Sequence, residues 1–166
     1  MTRSFPPKMT VCVGAVVVRV MQGEQHVLWV RQTYGWLKGQ WSIPWGFVNL
    51  EDGTPQPPEL AAVRETLEEA GVVAEVAGLL GMQNLRFDSG EPFIALLFLC
   101  RHVSDEPTPD NHETDRAVWF SLTEMEASGE TFEAQNQWLV RRILAGNYQL
   151  LPPQPDNPYR PEQAFF

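Results

Sequence analysis

The segment PPELAAVRETLEEAGV, residues 57–72, constrains the fold more than any other stretch of this 166-residue chain. Pro57 and Pro58 suit the first turn of a helix, where backbone N–H groups have no intrahelical partner, and Gly71 suits the position just past its end. The pattern predicts a helix from about Pro58 to Ala70. At about 100° per residue, Glu65, Glu68 and Glu69 fall within an arc of roughly 100°, with Leu60, Val63, Leu67 and Ala70 opposite. One stripe is therefore expected to pack on a sheet while the other presents three carboxylates, and the small Ala61 and Ala62 allow something to approach closely. Like charges three and four positions apart destabilise an isolated helix. A divalent cation reverses the sign of that term, and Mg²⁺ prefers carboxylate oxygens, waters and substrate phosphate. Arg64 is placed to pair with Glu68 one turn on, or with an acidic residue of the preceding loop, and so to orient the site. On the three glutamates alone, a solvated charged face is the competing reading.

Around this helix the chain reads as strands. MTVCVGAVVVRVM (Met9 to Met21) is Val-rich and suits a buried strand, and HVLWVRQ (His26 to Gln32) alternates as its hairpin partner. A loop with three tryptophans follows, then a Pro- and Gly-containing loop before the helix. VVAEVAGLLGMQNLRF and PFIALLFLCRHVS are two more strand-like segments, and RAVWFSL another. TFEAQNQWLVRRILAG has apolar residues at helical spacing, with Gly146 as its stop. Strands, helix, strands, helix predict a mixed sheet with helices on its faces, an α+β or α/β sandwich. One domain is expected over residues 1–146, followed by a Pro-rich C-terminal tail, 147–166, as an extended strap or a partly disordered segment.

The formal net charge of −9 disfavours nucleic-acid polymers and anionic membranes, which call for basic patches. No apolar run approaches the roughly 20 residues of a membrane span, and the first residues have no apolar core of a signal peptide. Cys12 and Cys100, both inside apolar strand-like runs, read as two buried thiols of a cytoplasmic protein.

RETLEEAGV resembles the second half of the Nudix hydrolase box, G-x5-E-x7-R-E-U-x-E-E-x-G-U with U bulky and aliphatic. Arg64, Glu65, Glu68, Glu69, Gly71 and Val72 match in register. WSIPWGFV resembles the family's W-x-x-P-G-G segment through Trp41, Pro44 and Gly46, and Ala61-Ala62 match the pair that precedes the box arginine. Glu113 followed six residues later by Trp119 resembles a downstream family segment. The resemblance implies the Nudix α/β/α sandwich. Three features depart from the pattern. Gly46 and Arg64 are 18 positions apart where the pattern has 14, so the loop carries four extra residues. Gln56 stands where the box has a glutamate, with Glu51 or Glu59 as candidates for its part. Trp45 replaces the first glycine of the G-G pair, and Thr66 an aliphatic residue.

The resemblance implies hydrolysis of the pyrophosphate bond in a nucleoside diphosphate linked to another group. Glu65, Glu68 and Glu69, with the backbone carbonyl at the Trp45 position, would hold Mg²⁺ or Mn²⁺, and Arg64 would orient the site. Glu113 is the first candidate for general base or further ligand, then Glu65, with Asp88 and Glu91 weaker. His112 is a candidate proton shuttle, against an exposed loop histidine with no role. Arg31 matches a basic phosphate-contacting position and Lys38 is second to it; Tyr34, Trp36 and Trp45 are candidates to stack on a base. A small nucleotide is the expected partner, ADP-ribose or a nucleotide sugar first, a nucleoside triphosphate or dinucleoside polyphosphate next. An isoprenoid diphosphate isomerase ranks low for want of a marked cysteine nucleophile. The alternative is a catalytically weak nucleotide-binding sensor, supported by Gln56 and the long loop. A homodimer stays open, through exchanged strands or a tail ending in Phe165 and Phe166.

Overall fold

The computed structural model describes residues 9–50, 52–156 and 164–165. Strand β1 (Thr10–Met21) turns into β2 (Glu24–Gln32), followed by a 3-10 turn at Gly35–Leu37 and short strands β3 (Trp41–Ser42) and β4 (Trp45–Phe47). Helix α1 (Pro58–Ala70) leads into β5 (Val73–Arg86), β6 (Pro92–Ser104) and β7 (Thr114–Ser121), and then α2 (Leu122–Ala127) and α3 (Ala134–Leu144). The strands form one mixed sheet in the order β3-β2-β1-β6-β5, with β1 and β6 parallel. The N-terminal half of β1 also pairs with β4, through Cys12, Val13 and Gly14, while β7 pairs along β2. This is the expected mixed sheet with helices on its faces.

Alternation along β1 builds two cores. Val13, Ala15 and Val17 pack with Ala61, Ala62 and Ala70 of α1, whereas Val16 packs with Trp29, Ile43, Val140 and Ile143 on the α3 side. The rings of Trp29 and Phe132 meet edge-on at 4.8 Å in that second core.

Helix α1 has the expected bounds but not the expected inner face. Leu60 and Leu67 are 53% and 51% exposed, and the buried positions are Ala61, Ala62, Glu65, Thr66, Glu69 and Ala70. Of the apolar stripe expected from Leu60, Val63, Leu67 and Ala70, only Ala70 lies inside. Size decides here rather than hydrophobicity. Alanines let the helix axis lie close to β1, and Thr66 satisfies its hydroxyl by donating to the Ala62 carbonyl at 2.8 Å. That rotation carries Glu65 and Glu69 under the edge of the sheet and leaves Glu68 outside. The helix ends at Gly71, whose φ of 66° is the left-handed conformation glycine favours. A Cβ there would lie 3.0 Å from the Thr108 carbonyl oxygen, so the stop is also a close packing point.

Beyond α3, Leu151 and Leu79 exchange backbone hydrogen bonds at 2.9 Å, and Phe165 packs on Phe98 at 5.6 Å. Phe166 lies outside the described residues.

Candidate active site

Glu69 is 2% exposed. One carboxylate oxygen accepts from Gln32 Nε2 at 3.1 Å and the other from the Trp45 backbone N–H at 3.1 Å. Gln32 also donates to Ser42 Oγ at 3.2 Å. Glu65, 8% exposed, meets Arg64 Nη2 at 2.8 Å. Strand β4 passes so close to it that a Cβ on Gly46 would lie 2.1 Å from Glu65 Oε1. The Pro-Trp-Gly segment thus fixes both buried carboxylates, Glu69 through a backbone donor and Glu65 through the space Gly46 leaves.

Burial is the main cause that raises the Glu65 carboxyl to about 7, opposed by Arg64 and reinforced by Glu68 and Glu113. Burial also raises Glu69 well above the ordinary carboxylate range, against the donors Gln32 and Trp45. A carboxyl with a raised folded-state pKa holds its proton more tightly when folded. Its contribution to stability is full below the unfolded value of 4.5 and is lost as pH rises through about 7. In chelator, the melting temperature is therefore expected to fall between pH 5 and about pH 7.5. A thermal melt series that rises over this range would contradict the burial of these groups.

Arg64 ties the helix to the loop before it. Its Nη1 reaches Glu68 Oε2 at 2.6 Å, its Nη2 donates to the Phe47 carbonyl at 2.9 Å, and its Nε donates to Gln56 Oε1 at 2.9 Å. Backbone hydrogen bonds within the loop bring Gln56 back to this point. Gly53 N–H donates to the Leu50 carbonyl, Leu50 N–H to Thr54, and Gln56 N–H to Val48. The amide oxygen of Gln56 thus supplies the acceptor expected of the box glutamate. Glu59, on the first turn of α1, is not among the groups bonded to Arg64, and Glu51 lies outside the described residues.

Glu113 comes from the opposite wall. Asp110 accepts the backbone N–H groups of His112, Glu113 and Thr114 at 3.1, 3.0 and 2.8 Å. Thr33 N–H donates to the Glu113 carbonyl at 2.9 Å, and the Thr114 hydroxyl donates to the Glu69 carbonyl at 2.5 Å. The Tyr34 hydroxyl donates to Glu113 Oε2 at 2.9 Å. Burial first, then the Glu113 carboxylate, raises the Tyr34 phenol, so it stays a donor. Asp110→Ala strips the acceptor from three backbone donors. By analogy with a lost helix N-cap it is expected to cost about 1 kcal/mol in chemical denaturation. An unchanged denaturation midpoint would show that the loop does not depend on Asp110.

These walls enclose a cleft of ≈ 620 Å³ lined by Glu65, Glu68, Glu69, Glu113, Arg64 and Tyr34, with Trp45, Gly46 and His112 also on its rim. Among the described residues, no three His, Cys, Asp or Glu side chains already converge as a ligand cluster. Instead the Arg64 guanidinium lies between Glu65 and Glu68, and Gln32 and Trp45 bond Glu69. The donor set nevertheless fits a hard divalent cation, which takes oxygen ligands. Glu65, Glu68, Glu69, Asp110 and Glu113 border one space, and the two buried ones are pushed toward neutrality by desolvation first, then Glu65 by Glu68 and Glu113, and Glu69 by Glu65 and Glu113, a cost that a cation offsets.

The other candidates lie elsewhere. Arg31 grips Asp115 through Nε–Oδ1 at 2.8 Å and Nη2–Oδ2 at 2.7 Å, in register with Val27 and Trp29 on the face away from α1. It does not line the cleft, and neither does the exposed Lys38. Trp36 is 62% exposed and borders two smaller cavities next to the cleft. Asp88 borders one of these, and Glu91 borders neither the cleft nor the cavities. Gln32, Asp110 and Thr114 are the site residues that sequence reasoning missed. Gln32 had a signal, since alternation puts it on the inward face with Leu28 and Val30; Asp110 and Thr114 sat unmarked in an acidic loop.

The NUDIX domain family matches residues 10–141, and the chain belongs to that family, as a Nudix-type pyrophosphohydrolase. Solved structures agree in fold. The NUDIX domain of Shewanella oneidensis NrtR, complexed with ADP ribose, is similar at 15% identity and a TM-score of 0.69, over 88% of this chain and 92% of that one. A NUDIX hydrolase from Nitrosomonas europaea is 26% identical, with a TM-score of 0.65, over 87% and 94%. A C. elegans Ap4A hydrolase is 22% identical, with a TM-score of 0.64, over 83% and 97%. No curated protein matches the chain by sequence.

Proposed function

We propose that this protein hydrolyses the pyrophosphate bond of a nucleoside diphosphate joined to a second group, with Mg²⁺ or Mn²⁺ held by Glu65, Glu68 and Glu69. The observation that carries this reading is the single cleft that gathers those three carboxylates, Glu113 and Arg64. The bound metal supplies polarisation of phosphoryl oxygens and a more acidic water. The chain's own residues do the rest. Glu113, oriented by the Tyr34 hydroxyl, accepts the proton of the attacking water, with Glu65 as the second candidate. Arg64 is a positioning residue, because its three bonds join Glu68, Gln56 and β4 and leave it facing carboxylates rather than open solvent. The retained Glu65, Glu68 and Glu69 support hydrolysis over a sensor role, since a sensor could dispense with them. ADP-ribose or a nucleotide sugar ranks first, a reading supported by the ADP ribose bound to the Shewanella domain and by a structural neighbour described as a UDP-X diphosphatase. Buried, unpaired Cys12 and Cys100 support a cytoplasmic setting, and among the described residues no helix is long and apolar enough to cross a membrane.

Calorimetric titration with Mg²⁺ and Mn²⁺ tests the metal assignment. Carboxylates must lose their protons to bind, so affinity is expected to rise with pH through about 7. A flat titration at pH 8 would contradict the site.

A further inference from the structure

We propose that the Trp45 indole is the specificity determinant of this enzyme, a wall between the carboxylate cleft and an aromatic cavity that receives the substrate's nucleobase. The inference rests on the reading of the cleft as a nucleotide pyrophosphate site. Among the described residues, Trp45 alone borders the ≈ 620 Å³ cleft and both neighbouring cavities, of ≈ 60 and ≈ 180 Å³. Those cavities are walled by Trp36, Leu85 and Phe93, and the larger one also by Phe87, which stacks on Phe93 at 4.3 Å. An aromatic slot beside an anion-handling cleft suits a flat heterocycle on a phosphate chain, since every base offers a π-face. The position is chain-specific, because the family pattern has a glycine here.

A further observation points to a ligand. Gln83 and Asn136 border the smaller cavity, and Gln135 borders both. The side-chain amides of the three make no hydrogen bond among the described residues, so each is free to donate to or accept from a base edge. The ring is also coupled to the chemistry. Its own backbone N–H holds Glu69, and β4 pairs it with Gly14. A base that seats on Trp45 therefore sets the pyrophosphate against the carboxylates.

The test compares wild type with Trp45→Ala, Trp45→Phe and Ala95→Leu, the last filling the smaller cavity from β6 without touching the cleft. AMP binding is measured by calorimetry, and KM for ADP-ribose is set against KM for a sugar diphosphate that lacks a base. Trp45→Ala and Ala95→Leu are expected to weaken AMP about ten-fold and to raise the KM ratio by a similar factor. Trp45→Phe keeps a smaller ring and is expected to fall between. If Trp45→Ala fails to fold, the other two variants decide. Unchanged AMP affinity and an unchanged KM ratio in a protein that hydrolyses ADP-ribose would overturn this inference alone. AMP binding that depends on Trp45 in a wild type with no hydrolase activity would overturn the functional reading and leave this one standing.

Discussion

Glu69→Gln is expected to lower Mg²⁺-dependent hydrolysis at least about a thousand-fold, while the melting temperature in chelator stays level or rises. A metal supplies several kcal/mol of charge stabilisation, and each 1.36 kcal/mol is a factor of ten in rate. The stability half of this prediction follows from burial. Glu69 is 2% exposed, and a buried carboxylate costs more than a buried amide of the same shape. A glutamine oxygen still accepts from the Trp45 N–H, and the Gln32 amide has the freedom to turn and accept from the new amide. The Mg²⁺-induced rise in melting temperature is expected to shrink in the variant, because fewer charged ligands remain to bind the ion. Near-wild-type rates would refute the metal role of Glu69. A large loss of stability in chelator would show that its charge holds the fold together instead.

Gly46→Ala is expected to cut activity about a hundred-fold and to cost only a few degrees of melting temperature. The added Cβ would lie 2.1 Å from Glu65 Oε1 and from its carboxyl carbon, so the carboxylate must move. What moves is the end of a flexible side chain, hence a small stability cost. About 1 kcal/mol corresponds to roughly 2–4 °C in a domain of this size. The effect on rate is larger because a misplacement of about 1 Å in a catalytic constellation costs on the order of 10²-fold. Full activity in Gly46→Ala would show that Glu65 has room to act from another position. Together the two variants separate loss of a ligand from displacement of one.

Much of this architecture was legible in the residues themselves. The Val-rich run of β1, the alternation of β2 and the Pro58-to-Gly71 punctuation of α1 each carry a local reason for their structure, and the helix has the bounds its caps imply. The inner face of α1 was not legible from hydrophobicity. Leu60 and Leu67 lie out and Glu65 and Glu69 in, because alanines set how close the helix comes to β1. Such a choice depends on the depth of the groove it fills, which lies in other elements. The loop was opaque for a different reason. Counting showed four extra residues and a glutamine, but only the backbone bonds of Leu50 with Gly53 and Thr54, and of Gln56 with Val48, explain how Gln56 reaches Arg64. Arg31 shows the limit of carrying a position over by type alone. It has the charge and the strand-end location, yet its partner is Asp115, 84 residues on, on the other face of the sheet.

The most direct test is a nucleotide panel incubated with Mg²⁺ or with chelator, with products identified chromatographically. ADP-ribose, nucleotide sugars, nucleoside triphosphates and a dinucleoside polyphosphate together cover the candidate chemistries. The predicted result is Mg²⁺-dependent release of a nucleoside monophosphate, fastest from ADP-ribose or a nucleotide sugar and abolished by chelator. Tight binding of one nucleotide with no turnover of any, at saturating Mg²⁺ or Mn²⁺, would contradict it.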